Sequence, residues 1–70
     1  MIHLEVNFIE DGEEKVNRNL IPLAFEYISD KNELHVYDNY EQWSSRHWKE
    51  PKPHKIYTNV TSVAYWDDTK

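Results

Sequence analysis

Residues 54–66 read HKIYTNVTSVAYW, and their apolar side chains change faces partway along. One parity holds Ile56, Thr58 and Val60, and the opposite parity holds Val63 and Tyr65. Because successive side chains of a strand point to opposite faces, a single flat strand cannot keep all of them on one side. A β-bulge or a tight bend near Thr61 and Ser62 restores one apolar face. These residues therefore predict a strongly bent strand within a curled sheet.

A β-hairpin signature precedes them. Two β-type runs, LIPLAFEYI (20–28) and ELHVYD (33–38), flank the polar tetrapeptide SDKN (29–32). Apolar side chains fall on both parities of the first run, which predicts a strand covered on both faces. Pro22 lacks an amide donor, so it belongs at the start of that strand or on an unpaired edge. The tetrapeptide is rich in turn-forming residues, and Asn32 is the candidate for a positive φ.

The N-terminal residues predict another strand and a loop. Apolar side chains alternate with polar ones at Ile2, Leu4, Val6 and Phe8, which is the period of a half-buried strand. Asp11 precedes Gly12, the only glycine of the chain, and this pair marks a turn. Residues 13–19, EEKVNRN, are polar and show no clear period, so we expect a loop there.

Residues 39–49 predict one short helix. Trp43 and Trp48 have opposite parity, so an alternating strand pattern fails, whereas a helical projection succeeds. At 100° per residue, an arc of about 140° collects Tyr40, Trp43, Ser44, His47 and Trp48. We expect Tyr40 and Trp43 to face the sheet and to join the core.

Local signals set the limits of this helix. Asp38 and Glu41 resemble a capping box at its start. Lys49 suits the negative end of the helix dipole. Pro51 and Pro53 forbid continuation, because proline lacks the amide donor that a helix interior needs.

Together these elements predict one mainly β (α+β) domain over residues 1–70. It is a small curled antiparallel sheet or partial barrel of four or five strands, with one short helix around residues 39–49. A chain of this length buries only about 60% of its unfolded surface, and it has no cysteine for a disulfide. Its three tryptophans, five tyrosines and two phenylalanines can fill a core or pack against another chain. A homodimer is therefore among the expectations.

Charge is distributed unevenly along the chain. Residues 1–45 carry ten acidic and three basic side chains, whereas residues 46–70 carry three acidic and five basic ones. Because a net charge of −5 repels phosphate backbones, duplex nucleic acid is not an expected partner. The chain shows neither an 18-residue apolar run nor a basic start followed by an apolar segment, so we expect a cytoplasmic protein without membrane association.

Enzymatic chemistry finds little support in the residue types. There is no cysteine, and no serine stands in the nucleophile-elbow pattern. One glycine cannot line an oxyanion loop or a phosphate-binding loop. We therefore expect a protein without catalytic activity and without a cofactor.

Four histidines raise the question of a metal site; they are His3, His35, His47 and His54. No two of them have the i, i+4 spacing of a helix or the i, i+2 spacing of a strand, so no metal site is predicted. His3 and His35 become neighbours only if their strands pair. A metal-dependent hydrolase that uses the histidines with Asp67 and Asp68 is the weakest alternative. His47 lies inside the aromatic arc and is predicted to pack there.

Protein binding is the favoured function. Interfaces are enriched in tyrosine, tryptophan and arginine, and residues 37–48, YDNYEQWSSRHW, contain all three types. The predicted contact residues are Tyr37, Arg46, Trp48 and Lys49. We expect an inhibitor or modulator of a larger protein, and the small, acidic, cysteine-free character is typical of an accessory protein of a phage or mobile element.

The alternative function is capture of a small ligand or a nucleotide. Residues 46–55 form the densest basic segment, with one acidic side chain among them. Phosphate or ligand contacts would come from Arg46, His47, Lys52 and Lys55, while an aromatic ring stacks on a base.

Overall fold

A computed structural model describes residues 1–50 and 52–68 of the chain, which form a mainly β fold with one short helix. In chain order the elements are β1 (Ile2–Glu10), β2 (Glu13–Leu20), β3 (Ala24–Ile28), β4 (Glu33–Tyr37), α1 (Tyr40–Ser44), β5 (Lys55–Thr58) and β6 (Val60–Asp67). The mainly β class is confirmed. The strand count is corrected, because the described residues form six strands in two antiparallel sheets rather than four or five in one.

Each sheet has three strands. Sheet A has the order β2-β1-β6, and sheet B has the order β3-β4-β5. The two sheets do not close into a barrel. The prediction of a single curled sheet is therefore wrong in detail, although the chain does bend sharply where it passes from sheet B to sheet A.

That bend is a single residue, Asn59, between β5 and β6. Its φ is 53°, in the left-handed region that asparagine tolerates better than most residues. Its carbonyl accepts a hydrogen bond of 3.0 Å from the amide of Ile9, which ties the corner to β1. One register shift follows at once, because Asn7 pairs with Ser62 and Phe8 pairs with Val60. The predicted bulge near Thr61 and Ser62 is confirmed, and the bend lies just before it, at Asn59.

The predicted hairpin is also confirmed. β3 pairs with β4 in the register that places Phe25 opposite Val36, and Asn32 has a φ of 53°. The hydroxyl of Tyr27 donates to the Asn32 side-chain oxygen at 2.6 Å and fixes the turn. The first strand begins later than predicted, at Ala24, and it is not covered on both faces, because Tyr27 is 49% exposed.

Pro22 lies in the connection that joins β2 to β3, and it is buried there. It is thus outside any strand, where its missing amide donor leaves no ladder hydrogen bond unmade. The adjacent Leu23 amide donates to the carbonyl of Tyr37 at 2.9 Å and anchors the connection to β4.

Residues 13–19 form most of β2, which corrects the predicted loop. β2 pairs with β1 through the turn at Asp11 and Gly12, which have φ values of 55° and 78°. Every residue of β2 except Leu20 is exposed. A strand with water on both faces shows no hydrophobic period, so its sequence carries no signal beyond the turn that precedes it.

The core lies between the two sheets. It consists of Leu4, Val6, Leu34, Val36 and Tyr57, joined by the partly buried Phe8, Leu20, Phe25, Val60 and Val63. The side-chain amide of Asn17 donates to the Tyr57 hydroxyl at 2.6 Å, which satisfies the polar end of that ring. This small core leaves many aromatic side chains outside it.

The helix is shorter than predicted and is capped by a different residue. α1 begins at Tyr40, and the side chain of Asn39 accepts hydrogen bonds from the amides of Glu41 and Gln42 at 2.8 and 3.3 Å. Asn39 therefore replaces the predicted Asp38 as the N-cap. The chain leaves helical geometry after Ser44, well before the prolines, and Pro51 lies outside the described residues.

Tyr40 does not join the core. It is 72% exposed, whereas Trp43 is partly buried. α1 packs on the outer face of sheet B, because Trp43 contacts Tyr37, whose side chain points away from the neighbouring core residue Val36. The first turn of the helix projects beyond this contact and leaves the Tyr40 ring in water.

Candidate functional site

The predicted contact residue Tyr37 is fully buried, so its prediction as an exposed contact is wrong. Its ring meets the Trp43 ring edge to face, with the centroids 5.3 Å apart. Parity correctly places Tyr37 away from the core between the sheets. The helix segment then covers that outer face, which strand periodicity alone cannot show.

Arg46 is held by neighbours rather than presented to a partner. Its guanidinium carbon lies 3.5 Å from the centroid of the Trp43 ring, and its Nη1 donates to the Trp43 carbonyl at 2.7 Å. Its Nε lies 3.7 Å from a carboxylate oxygen of Glu26 on β3. With 19% of its side chain exposed, Arg46 fastens the helix segment to sheet B.

A small polar cluster results under the helix, made of Tyr37, Arg46 and Glu26. The Tyr37 hydroxyl and the Arg46 Nε are buried without a hydrogen-bond partner among the described residues. Burial raises the pKa of Tyr37, and the nearby Glu26 carboxylate raises this pKa further, while Arg46 opposes both. The geometry explains how the helix segment is anchored to sheet B.

Trp48 is exposed, as predicted, with 73% of its surface accessible. Lys49 is exposed nearby in sequence and lines a shallow polar hollow together with Lys52, Asn39 and Glu50. A role for Trp48 and Lys49 in partner binding stays a prediction.

The residues predicted to contact phosphate do not converge. Arg46 packs under the helix, and Lys52 lies in the hollow beside Lys49. Lys55 lies in a different hollow beside β2, with its Nζ 5.6 Å from the Tyr57 ring centroid. His47 is exposed, which corrects its predicted packed position.

The histidines are also dispersed. His3 stacks on Trp66 with ring centroids 5.4 Å apart, and its Nε2 lies 2.7 Å from an Asp68 carboxylate oxygen. This hydrogen bond lowers the pKa of Asp68. His35 lies on β4 of sheet B, where its Nε2 is 3.0 Å from a Glu33 carboxylate oxygen. The strands of His3 and His35 belong to different sheets and do not pair, so the two histidines are not neighbours. Within residues 1–50 and 52–68, no group of three or more His, Cys, Asp or Glu side chains could hold a metal ion.

An apolar surface lies between β3 and β6, each of which is an outer strand of its sheet. Phe25 of β3 meets Tyr65 of β6 nearly edge to face, with ring centroids 5.0 Å apart. An apolar hollow of about 330 Å³ lies along Tyr27, Val63 and Tyr65, and another of about 440 Å³ lies along Phe25, Tyr65 and Trp66. We call this surface, defined by Phe25, Tyr27, Val63 and Tyr65, the aromatic cleft.

The aromatic cleft is lined by rings that the core does not cover. Tyr27 is 49% exposed and Tyr65 is 66% exposed. Trp66, on the opposite face of β6, stacks on His3 instead. Its lining is mainly hydrocarbon, with few polar atoms. Such a surface suits non-covalent contact with bulky apolar side chains, because apolar area is removed from water on both partners.

Sequence reasoning misses the aromatic cleft because the period of β6 places Tyr65 on the face toward sheet B but does not show that this side stays open and leaves the ring exposed. One signal was available. Tyr65 and Trp66 are adjacent, so they point to opposite faces of β6, and a single core cannot bury both rings.

Across the described residues, no helix combines the length and the apolar character that crossing a membrane requires. Comparison of the chain with protein-family models, curated proteins and solved structures gives no match.

Proposed function

We propose that this chain is a non-catalytic protein-binding domain that docks on a larger protein through the aromatic cleft and inhibits or modulates it. One observation carries the proposal. Tyr27 and Tyr65 are each about half exposed or more, and they border apolar hollows at the open side of the sheets. Buried tyrosine and tryptophan anchors supply much of the affinity of protein interfaces.

The expected occupant is a segment of the partner that combines bulky apolar side chains with basic neighbours. The apolar hollows suit bulky apolar side chains. Basic neighbours are expected because residues 1–45, which include β1 to β4, carry ten acidic and three basic side chains. Opposite charge on the partner would speed encounter and fix orientation, while the aromatic contacts supply most of the affinity.

Trp48 and Lys49 are a second candidate contact, because Trp48 is the most exposed large apolar side chain among the described residues. Neither residue lines the aromatic cleft. In this proposal they add to a partner interface without forming its centre.

The proposed setting is the cytoplasm, as an accessory protein of a phage or mobile element. Support comes from the sequence alone, since the chain is short, acidic and free of cysteine.

Selection from a displayed random-peptide library tests the proposal. Peptides enriched on the wild-type chain are then measured by fluorescence anisotropy against the wild type, Tyr65→Ser and the matched control Tyr40→Ser. Tyr40 is as exposed as Tyr65 and lines neither hollow of the cleft. We expect basic, apolar peptides whose affinity falls by about tenfold or more with Tyr65→Ser and stays unchanged with Tyr40→Ser.

Circular dichroism of both variants shows whether each keeps the wild-type fold. Equal affinity for the wild type and a folded Tyr65→Ser variant would contradict the proposal. Affinity that does not fall as salt rises would contradict its electrostatic part, because screening weakens attraction between surface charges.

A further inference from the structure

We infer that two copies of this chain pair through the outer edges of their β6 strands, forming a continuous six-stranded sheet with the order β2-β1-β6-β6-β1-β2. Within each copy, β6 is the outer strand of sheet A and pairs with β1 on one side. Its other side presents backbone donors and acceptors that a further strand can satisfy. This inference goes beyond the proposed function, because it uses the backbone of β6 rather than the side chains that line the cleft.

Charge distinguishes β6 from the other outer strands of the described fold. β2 contains Glu13, Glu14, Lys15 and Arg18; β3 contains Glu26; and β5 contains Lys55. Charged side chains on outer strands oppose pairing with another chain. In contrast, β6 has no charged residue from Val60 to Trp66, and it is eight residues long.

The uncharged segment 60–66 of one copy can pair with the same segment of a second copy. In an antiparallel pair related by a twofold axis, each residue of the segment faces another residue of the same uncharged segment. Asp67 then lies at or beyond the end of the paired region, so no two like charges are placed directly opposite within it. Val60 and Val63 add β-branched side chains, which suit strands.

The surface area of the chain points the same way. The folded chain exposes 5242 Å², whereas a compact monomer of this mass exposes about 4,700 Å². The excess of about 500 Å² approaches the roughly 800 Å² that each partner buries in a standard interface. Trp66, which lies on β6 outside the cleft, contributes a large exposed ring to this excess.

Net charge opposes the dimer only at long range. Two chains of charge −5 repel each other, but the Debye length is about 8 Å at physiological salt. Added salt should therefore strengthen β6 pairing, whereas it should weaken binding of a basic partner. The two kinds of contact respond to salt in opposite directions.

Sedimentation equilibrium of the wild-type chain from about 1 μM to about 1 mM tests the inference. We expect a reversible transition from the 8.5 kDa chain to twice that mass. The disrupting variant is Ala64→Lys, because Ala64 is exposed and lies opposite Glu5 of β1. A lysine there gains an ion pair within the monomer and places charge on the β6 edge, so dimerisation should weaken about tenfold or more.

Val16→Lys is the matched control, since it adds the same charge to an exposed position of the already charged β2 edge. It should leave the dimer intact. Intermolecular NOEs between isotopically labelled and unlabelled chains should fall on residues 60–66.

A wild-type chain that stays monomeric throughout, or a dimer that Val16→Lys disrupts and Ala64→Lys does not, overturns the inference. A monomer that still binds the selected peptides contradicts the dimer inference and leaves the proposed function standing. A β6 dimer that binds no selected peptide supports the inference and contradicts the proposed function.

Discussion

The guanidinium of Arg46 stacks on the Trp43 ring, with its central carbon 3.5 Å from the ring centroid. α1 contains no buried residue, so the helix segment depends on this stack and on the contact of Trp43 with Tyr37. A segment with few buried contacts opens at a lower free energy than the sheets do. Trp43, through its contact with Tyr37, and Arg46, through its ion pair with Glu26, therefore attach the helix segment to sheet B.

Arg46→Lys should destabilise the protein although the charge is kept. Lysine cannot stack a planar group on Trp43, and it loses the hydrogen bond from Nη1 to the Trp43 carbonyl. We expect a decrease of about 1 kcal/mol in the free energy of unfolding, measured by urea denaturation. Lys49→Ala, at an exposed position, serves as the control and should have little effect. Equal stability of Arg46→Lys and the wild type would show that the stack contributes nothing.

Tyr37→Phe should stabilise the protein. The Tyr37 ring is fully buried, and its hydroxyl has no hydrogen-bond partner among the described residues. Removing an unsatisfied buried hydroxyl while keeping the ring should raise the free energy of unfolding by about 1 kcal/mol. A clear loss of stability on urea denaturation would mean that the hydroxyl is hydrogen-bonded in solution.

Alkaline pH should weaken the wild type more than Tyr37→Phe. Burial and the Glu26 carboxylate raise the pKa of Tyr37 above the ordinary tyrosine value of 10.0, so the folded state holds this proton more tightly than the unfolded state. The corresponding stability is fully present below pH 10.0 and is lost as the pH rises through the folded pKa. Urea midpoints measured from neutral pH upward should fall more steeply for the wild type above that value, and parallel curves would contradict the assignment.

Substitutions of Asn59 should separate backbone conformation from side-chain contacts. With a φ of 53° at the corner between β5 and β6, Asn59→Ala should cost about 1 kcal/mol, because alanine disfavours the left-handed region. Asn59→Gly should cost less, since glycine adopts this φ freely. Thermal unfolding of the two variants gives the comparison. The explanation fails if glycine destabilises the fold as much as alanine does.

Trp48→Ala should leave stability unchanged. Trp48 is 73% exposed, so its removal should alter the free energy of unfolding by no more than about 0.5 kcal/mol. If Trp48 contributes to the proposed interface, the same variant binds the selected peptides more weakly at an unchanged melting temperature. A variant that unfolds would place Trp48 in the core and remove it from the proposed surface.

A thermal-shift panel of nucleotides should give no increase in melting temperature. Lys52 and Lys55 lie in separate hollows, and Arg46 packs under the helix, so these three predicted phosphate contacts do not converge on one ligand. Ligand binding to the folded state alone would raise the melting temperature. An increase of several degrees in the melting temperature with one nucleotide would support the ligand-capture alternative.

Local patterns predicted several elements well. The turn residues before Asn32 located the β3–β4 hairpin, and the change of parity in residues 54–66 located the bend. β2 gave no such pattern, because an outer strand exposed on both faces is free of any hydrophobic period. The predicted helix has the right position but is too long. Its aromatic arc continues through His47 and Trp48, whereas the structure ends the helix at Ser44 and leaves both side chains exposed.

The amino-acid order was enough to establish a mainly β chain with a hairpin, a sharp corner and more large rings than a small core can hold. Only the tertiary structure shows that Tyr37 is buried and that Arg46 stacks on Trp43. Only the tertiary structure shows that Phe25 and Tyr65 meet across the open side between the sheets. The reason is physical: strand and helix periods fix the direction in which a side chain points, whereas burial depends on which distant segment arrives to cover that face.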